Sequence, residues 1–307
     1  MLQKILEYLF LEKIDKLKIE KMIENKYSTA LDGLIIENPV KSFFDFCKER
    51  EKIRISRENG EDFPWSADEI FQNGRFLNVF REDDRVSKSI IKFADNLNEE
   101  PSKLINAVFF ARWCNRQEVL DTLTPDDLNN PENLKNKLES IDPWCNETAY
   151  PVEPVTWKGK QYSRIDAATK LFYEIQDSLL KILKSSNKSV ITATNNINKE
   201  FQMQNDFPIF MAVIDIAWFR PDIIPIESEV PTGIGAVAYL DRLQNHLGLS
   251  SHQGVGEKMI ELQKTYWPEA KRGFNPIDIE YLACECRKYY SYINGTKVFE
   301  GKNKFIP

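Results

Sequence analysis

The sequence predicts a mainly α-helical protein with at most one small β-hairpin. Apolar residues recur at helical spacing in most segments, an Asn-Pro pair opens two of those segments, and strand-like alternation is confined to one short stretch. Asn at the N-cap accepts a hydrogen bond from a free backbone amide, and Pro in the first turn has no amide to satisfy. These three observations together favour helices over sheets.

Helix signals follow one another through the first 123 residues. Asn38-Pro39 starts a helix that runs to about Glu58, Ser66 with Glu69 has the spacing of a capping box, and Pro101 starts another helix. Together with an amphipathic N-terminal pattern, the predicted helices cover about 2–25, 39–58, 78–97, 101–114 and 115–123.

Residues 124–162 change character, because prolines and Asn/Asp clusters interrupt the helical pattern. The segment Trp157-Lys158-Gly159-Lys160 predicts a small hairpin. We expect 1–37 to form an N-terminal helical extension, 38–123 a first lobe, 124–162 an irregular connector and 163–307 a second lobe. Helices are predicted in the second lobe at about 163–184, 188–201, 206–219, 233–247, 253–267 and 276–293.

Composition narrows the classes of function. The net charge of -6 argues against nonspecific binding of polyanions, but Lys and Arg exceed Asp and Glu locally in 41–57 and 271–304. The odd number of cysteines, five, favours a reducing compartment over a set of disulfides. With only two histidines, the sequence offers few ligands for a zinc site. No signal peptide is apparent, and the longest apolar stretch, 209–219, is too short to span a bilayer. We expect a soluble cytoplasmic protein with no metal, no cofactor and no membrane partner, and the oligomeric state stays open.

The first dense motif is Arg75-Phe76-Leu77-Asn78-Val79-Phe80-Arg81-Glu82-Asp83-Asp84-Arg85, called here the first block. On a helical wheel Asp83 falls in the apolar stripe, whereas Arg81 falls on the far side. A carboxylate on a core face needs a partner. One interpretation is a buried ion pair with Arg75 or another arginine, and the other is a catalytic or substrate-binding carboxylate. Asp84 lies nearer the edge of the stripe, where it would face a cleft.

The second block is Asp278-Ile279-Glu280-Tyr281-Leu282-Ala283-Cys284-Glu285-Cys286-Arg287-Lys288-Tyr289, on a helix that Asn275-Pro276 starts. Glu280 and Arg287 share one flank of its core stripe, and Tyr281, Glu285 and Lys288 share the other. Simple pairing on a helix surface and a wall that binds a base are both open interpretations. Two such blocks predict one polar site built from both ends of the sequence.

The third motif is the turn Gly233-Ile234-Gly235, which precedes a helix. Backbone amides at a helix N-terminus can hold a phosphate, although a plain helix-start turn is equally compatible with the residues. The nucleotide-binding pattern G-x-x-x-x-G-K-[ST] and the nucleophile pattern G-x-S-x-G are absent from the sequence.

Several ordered motifs resemble a family of DNA base-hypermodification proteins, the α-glutamyl/putrescinyl-thymine pyrophosphorylases, with the helical domain of hydroxymethyluracil DNA kinases as relatives. The resemblance covers about 38–305 and is weak over 115–160. Besides the Gly233–Leu240 stretch and the second block, it rests on Glu49-Arg50-Glu51-x-Ile53, Pro64-Trp65-Ser66-x-Asp68-x-Ile70 and Arg75-Phe76-x-Asn78-Val79-x-Arg81-x-Asp83-Asp84-x-Val86.

The resemblance implies a two-lobed fold like that of helix-hairpin-helix DNA glycosylases and, as partner, double-stranded DNA that carries modified pyrimidines. The implied first function is a glycosylase that flips a 5-hydroxymethyl-derived pyrimidine out of DNA and excises it, with a role in anti-phage defence. An alternative is transfer of an amino acid or polyamine to 5-(pyrophosphoryloxymethyl)uracil. A further alternative is a noncatalytic module that reads DNA or accompanies a kinase.

These readings assign roles to fourteen residues. The candidate catalytic groups are Asp83, Asp84, Glu280 and Glu285, with Lys288 as the nucleophile of a lyase. The candidate substrate-binding residues are Arg75, Asn78, Arg81, Tyr281 and Arg287, and the candidate DNA-binding residues are Gly233, Gly235, Lys271 and Arg272.

Overall fold

A computed structural model describes residues 27–146, 154–301 and 304–305. The described chain is mainly helical and has one two-stranded sheet, which confirms the predicted fold class. It forms two compact units: the residues up to Val79 together with those from Thr232 onward make the first, and Phe80–Pro231 make the second. The helix predicted over 2–25 lies outside the described residues. The domain boundaries predicted from the sequence stay a prediction.

Both Asn-Pro helix starts are confirmed in the first unit. Asn38 Oδ1 accepts a hydrogen bond from the amide of Lys41 at 2.9 Å, and Asn275 forms a capping box with Asp278. The α-helices of this unit are Pro39–Glu58, Glu69–Asn73, Val237–Leu247, His252–Tyr266 and Pro276–Ile293.

Aromatic rings fill the core of the first unit. Phe44, on the helix Pro39–Glu58, stacks on Tyr266 with ring centroids 5.2 Å apart. Phe46, one turn away from Phe43, approaches Tyr289 at 5.8 Å. Because these partners are more than two hundred residues apart in sequence, the packing brings the helix Pro39–Glu58 against the helices at the end of the chain.

Two details differ from the predicted helices. The short helix Glu69–Asn73 starts two residues later than the Ser66 capping box implies, because its N-cap is Asp68, whose carboxylate accepts from the amide of Ile70 at 2.7 Å. The helix predicted over 78–97 is only Arg85–Ala94, between 3-10 turns at Arg81–Asp83 and Asp95–Leu97. A 3-10 turn advances by 120° per residue, so the helical wheel does not apply to the first block.

The second unit is built around two helices that are buried over most of their circumference, Pro101–Cys114 and Phe207–Phe219. Helices that are apolar on all sides belong at the centre of a helical layer. The other α-helices are Arg85–Ala94, Gln117–Leu120, Pro131–Glu139, Arg164–Asp166, Phe172–Lys184 and Val190–Phe201, with a π-helical turn at Ala167–Leu171.

The predicted hairpin is confirmed in the second unit. Strands Val155–Trp157 and Lys160–Tyr162 pair antiparallel, with Trp157 opposite Lys160. The two residues between the strands have positive φ, as a two-residue hairpin turn requires. Within the described ranges, no helix is both long and apolar enough to cross a membrane.

Candidate functional site

One flank of the helix Pro276–Ile293 holds the glycine turn. Glu280 Oε1 accepts a hydrogen bond from the amide of Gly233 at 2.9 Å, and Arg287 Nε donates to the carbonyl of Gly235 at 3.1 Å. The turn then closes through the amide of Ala236, which donates to the Gly233 carbonyl, and a helix follows. The structure therefore brings together two predicted DNA-binding glycines and two charged residues of the second block.

Both glycines pack closely against the helix Pro276–Ile293, and the short side chain of Cys284 at Gly235 can adjust less than the long side chain of Glu280 at Gly233. A Cβ at Gly233 would lie 2.7 Å from Glu280 Oε1, and a Cβ at Gly235 would lie 2.6 Å from Cys284 Sγ. Both distances are shorter than van der Waals contact. The amide of Gly233 binds a carboxylate, which occupies the donor that the sequence assigns to a phosphate. Phosphate binding by this turn stays a prediction.

The substitution Gly235→Ala is expected to destabilise the protein by about 1–3 kcal/mol, because the added methyl overpacks the contact with Cys284. The double variant Gly235→Ala/Cys284→Ala lacks the sulfur, so it should regain most of the lost stability. Chemical denaturation of the wild-type protein, the single variant and the double variant measures the free energy of unfolding of each. Gly256→Ala is the matched control, since its Cβ would meet no described atom within 4 Å apart from the backbone of its own helix, and alanine favours the helix more than glycine does. An equal effect at Gly235 and Gly256 would contradict the packing argument.

The other flank of the same helix holds the extended segment of the first block. The Glu285 carboxylate, only 5% exposed, accepts from the amide of Leu77 at 3.0 Å and from Lys288 Nζ at 2.7 Å. Tyr281 donates its hydroxyl to the carbonyls of Asn78, at 3.2 Å, and Val79. These contacts attach residues 77–79 to the C-terminal helix through the predicted site residues themselves.

Arg50 completes this attachment, and sequence reasoning did not assign it to the site. It is buried, its Nε donates to the Leu77 carbonyl at 2.9 Å, and its Nη2 donates to Asn78 Oδ1 at 2.5 Å. A signal was available, since Arg50 shares a helical face with Phe43, Phe46 and Cys47. An arginine on an apolar face has a specific partner as a rule.

An exposed strip runs along the segment before residue 79. Exposure alternates from Arg75 to Asn78, as in an extended chain, so Arg75 and Leu77 face outward. Leu77 is 48% exposed, and Ile234, at the tip of the glycine turn, is 43% exposed. Arg75 forms no ion pair with any residue in the described part of the chain. The strip offers one cation, Arg75, and one apolar side chain, Leu77, whereas Ile234 belongs to the glycine turn on the other flank of the helix Pro276–Ile293.

The two predicted basic DNA contacts of residues 271–272 differ in their surroundings. Lys271 is exposed, whereas Arg272 Nη1 and Nη2 bind the two oxygens of Asp278 at 2.6 and 3.1 Å. Asp278 is completely buried and also caps the helix by accepting from the amide of Asn275. Arg272 therefore has a structural function, whatever else it contacts.

The buried charges of the second unit converge on Asp215. Arg112 donates two hydrogen bonds to its carboxylate, and Arg81 Nη2 donates to Oδ1 at 3.0 Å. Burial by itself raises the pKa of a carboxyl, but the guanidinium groups of Arg112 and Arg81 outweigh it and hold the pKa of Asp215 below its usual range. Asp215 is ionised in the folded protein. The sequence predicted a buried ion pair for Asp83, with Arg75 or another arginine as its partner. The buried ion pair that the structure shows joins Arg81 of the first block to Asp215 instead.

A small pocket of about 20 Å³ opens beside this ion pair. Its walls come from the first block, the helix Arg85–Ala94 and the C-terminal end of the helix Phe207–Phe219, and the lining side chains are Arg81, Glu82, Ser87, Ile90, Ile91, Asp215, Trp218 and Phe219. Arg81 is 8% exposed, and its Nε has no hydrogen-bond partner within the described ranges. A buried donor of this kind is costly unless a ligand or water satisfies it.

The remaining predicted carboxylates, Asp83 and Asp84, are half-buried and belong to the second unit. Asp83 lies in the 3-10 turn, so the apolar stripe predicted for it does not exist. Glu280 and Glu285 belong to the first unit. The prediction that the two blocks line one polar site, with Asp83 or Asp84 near Glu280 or Glu285, stays a prediction.

The cysteines of the second block are neutral thiols. Burial, followed by the charge of Glu285, raises the pKa of Cys284, and burial beside Cys47 raises that of Cys286 well above its ordinary value. A thiol without its thiolate is a poor nucleophile and a poor metal ligand. Among the described residues, no three His, Cys, Asp or Glu side chains lie together as a metal site.

The pocket contains residues that sequence reasoning did not identify, namely Asp215, Trp218 and Phe219. One signal was present: Asp215 interrupts the longest apolar stretch of the chain, and a carboxylate there must be paired. The sequence did not predict its partners, Arg112 and Arg81, because they lie 103 and 134 residues away.

Comparison with known proteins gives one match. The model of a family described as "5-hmdU DNA kinase, helical domain" matches residues 37–296. No curated protein matches the chain, and no solved structure matches it. The matched range includes both blocks, the glycine turn and the pocket.

Proposed function

Because the chain belongs to the family of 5-hmdU DNA kinase helical domains, we propose that it recognises 5-hydroxymethyluracil, or a base made from it, in DNA for group transfer at the 5-substituent. The family places the protein in an enzymatic system of DNA base modification. In this proposal the glycosidic bond stays intact and the protein supplies recognition of the base.

The observation that favours this proposal over excision is that three of the five candidate catalytic groups, Glu280, Glu285 and Lys288, form hydrogen bonds or ion pairs within the fold. Glu280 binds the Gly233 amide, and Glu285 binds the Leu77 amide and Lys288. A general acid or base must reach the reacting atoms, and a lyase nucleophile must be a neutral amine rather than a paired ammonium. The bonds of these three side chains within the fold support a framework role.

The exposed strip supports contact with DNA. Arg75, which has no ion-pair partner in the described ranges, offers its guanidinium to a phosphate. The exposed apolar side chains of Leu77 and, in the glycine turn, Ile234 are suited to contact bases or sugars in a groove. Gly233, Gly235 and Lys271 are further proposed DNA contacts.

The substitution Arg75→Ala is expected to weaken binding to all DNA duplexes by a similar factor. Losing one phosphate contact should also reduce the slope of log K against log salt by about 1. Titrations at several salt concentrations measure both quantities. Lys264→Ala is the control, since this exposed lysine on the helix His252–Tyr266 removes the same charge. Equal slopes for the two variants would show that Arg75 makes no phosphate contact.

Excision is the second candidate, and one observation favours it. The half-buried carboxylate Glu82 lines the small pocket beside Asp215, and excision needs a carboxylate near the sugar of the flipped nucleotide. In that mechanism water forms a bond to the sugar C1′, the C1′–N1 bond breaks, and its electron pair leaves with the base. Asp83, Asp84, Glu280 and Glu285 stay candidates for the catalytic carboxylate, and an excising enzyme would suit anti-phage defence.

Analysis of the base after incubation tests the proposal. Duplexes that contain thymine, 5-hydroxymethyluracil or 5-(pyrophosphoryloxymethyl)uracil are incubated with the protein, with and without nucleoside triphosphate, glutamate or putrescine. Nucleosides and free bases are then measured by mass spectrometry. We expect every modified base to stay in the DNA, with any added mass on the 5-substituent. Free modified base together with an alkali-labile abasic site would establish excision and overturn the proposal.

A further inference from the structure

A group of aromatic rings surrounds an arginine on the surface of the first unit. Arg57 Cζ lies 5.2 Å from the ring centroid of Trp65 and 5.3 Å from that of Phe305. The Trp65 ring in turn contacts Phe305 at 6.0 Å and Phe63 at 5.3 Å between centroids. These four residues, called here the aromatic cluster, combine a cation with three rings, all within one unit of the fold.

The guanidinium of Arg57 is available to an anion. Arg57 is exposed, and neither an ion pair nor a side-chain hydrogen bond engages it in the described ranges. The neighbouring carboxylate, Glu58, pairs with Arg54 instead. Cation–π contacts hold a guanidinium against ring faces without using its N–H donors in hydrogen bonds. The rings therefore position this side chain, and its donors stay open to a phosphate.

Phe63 offers an aromatic face to a ligand. Its side chain is 43% exposed, and its ring plane makes an angle of 85° with that of Trp65. An edge contact of this kind covers at most one face of the Phe63 ring. Exposed aromatic faces stack on nucleobases of any sequence. Because the bases of a duplex already stack on one another, the base that stacks here must be unpaired.

Two further cations extend the aromatic cluster towards the exposed strip. The amide of Phe305 donates to the Asn73 carbonyl at 2.7 Å, and Lys304 forms an antiparallel bridge with Gly74. Lys304 therefore lies beside the start of the strip at Arg75. Both cations are exposed, and neither forms an ion pair in the part of the chain that the structure describes.

We propose that the aromatic cluster and these two cations bind an unpaired segment of DNA. A base stacks on Phe63, and phosphates lie at Arg57, Lys304 and Arg75. Exposed rings beside a row of cations are the combination that binds single strands. This inference rests on the proposed function for DNA as the ligand, and it adds a strand contact that does not depend on which base is modified.

The charges at the two ends of this surface orient the strand. The exposed acids Glu61 and Asp62 directly precede Phe63, whereas Lys304 and Arg75 lie at the other end. Carboxylates repel phosphates, so the strand backbone follows the cations and presents its base at the Phe63 end.

A two-by-two set of DNA molecules tests the inference. Each molecule carries thymine or 5-hydroxymethyluracil at one central position, and the nucleotides beside that position are either paired or part of an unpaired loop. Fluorescence anisotropy at fixed salt measures the affinity of the protein for each molecule. We expect the loop to tighten binding by about fivefold or more with either base, since stacking of one base on an aromatic side chain contributes at least this factor.

Two variants connect this gain in affinity to the surface. Phe63→Ala should lose most of the gain, whereas Phe207→Ala, at a phenylalanine that is 40% exposed in the second unit, should keep it. Arg57→Gln should reduce the slope of log K against log salt for the loop DNA by about 0.7, the value for one phosphate contact of a single strand. Lys264→Gln removes one charge at an exposed position outside the surface, so it should leave the slope unchanged.

The outcomes separate this inference from the proposed function. Loss of the gain in Phe63→Ala, together with the smaller slope of Arg57→Gln, supports the inference. Equal affinity for paired and loop DNA overturns it, as does either variant behaving like its control. Dependence on Arg57 without dependence on Phe63 would mean that the surface attracts anions such as an acidic protein segment. The comparison of the two central bases tests the proposed function separately, since a gain from the loop with equal affinity for both bases would support the inference and contradict the proposed function.

Discussion

The variant Asp215→Ala is expected to lose about 3–5 kcal/mol of unfolding free energy, because removing one member of a buried ion-pair cluster leaves the others uncompensated. Arg112 and Arg81, 2% and 8% exposed, would keep their charges without the carboxylate that both contact. Urea denaturation of the wild-type and variant proteins measures the loss.

Asp222→Ala is the matched control for this prediction. Asp222 also pairs with an arginine in the second unit, Arg220, but its side chain is 61% exposed, so its loss should cost less than about 1 kcal/mol. The stability that Asp215 contributes to the folded protein should also depend on pH. Its folded-state pKa is depressed, so its stabilisation is complete above the ordinary range of an aspartate and disappears as pH falls through the folded-state value. Equal losses for the two variants at neutral pH would refute the buried-cluster account.

The variant Arg272→Ala is expected to destabilise the protein by about 3 kcal/mol, since it leaves a fully buried carboxylate without its counter-ion. Asp278 would retain the amide of Asn275 but lose both guanidinium contacts. Thermal and urea denaturation should show this loss in the absence of DNA.

Lys271→Ala is the neighbouring control. Lys271 is exposed, so its removal should change stability by less than about 0.5 kcal/mol, as for surface substitutions generally. If Lys271 contacts DNA as proposed, the variant should instead weaken DNA binding in a salt-dependent manner. A stable Arg272→Ala protein with reduced DNA affinity would mean that Arg272 acts in binding and not in the fold.

Local chemistry explains which parts of the fold were predictable. Four features depend on residues within one turn of each other: the helix starts at Asn38-Pro39, at Pro101 and at Asn275-Pro276, and the hairpin at Trp157–Lys160. Capping and positive-φ turns are determined at that range, so the sequence pattern was sufficient.

The side-chain positions of the first block could not be predicted from local sequence patterns. Its wheel placed Asp83 in the core and Arg81 outside, whereas Arg81 is 8% exposed and Asp83 is half-buried. The 3-10 turn Arg81–Asp83 shifts the angular position of every side chain before Arg85. The turn brings Arg81 to Asp215, a contact 134 residues away that periodicity cannot anticipate.

The second block was predictable in its faces but not in its partners. Glu280 and Arg287 do share one flank, and Glu285 and Lys288 do share the other. Those flanks hold backbone segments of the glycine turn and of Leu77, which the sequence did not indicate. Side chains with the composition of a catalytic site therefore hold the framework together.

Competition between two duplexes tests the central claim most directly. The duplexes differ only in one central base, thymine or 5-hydroxymethyluracil, and the protein is present without nucleotide or amine. The account predicts tighter binding of the 5-hydroxymethyluracil duplex, by about tenfold or more at fixed salt, with both duplexes recovered intact. Equal affinity for the two duplexes at every salt concentration would contradict it.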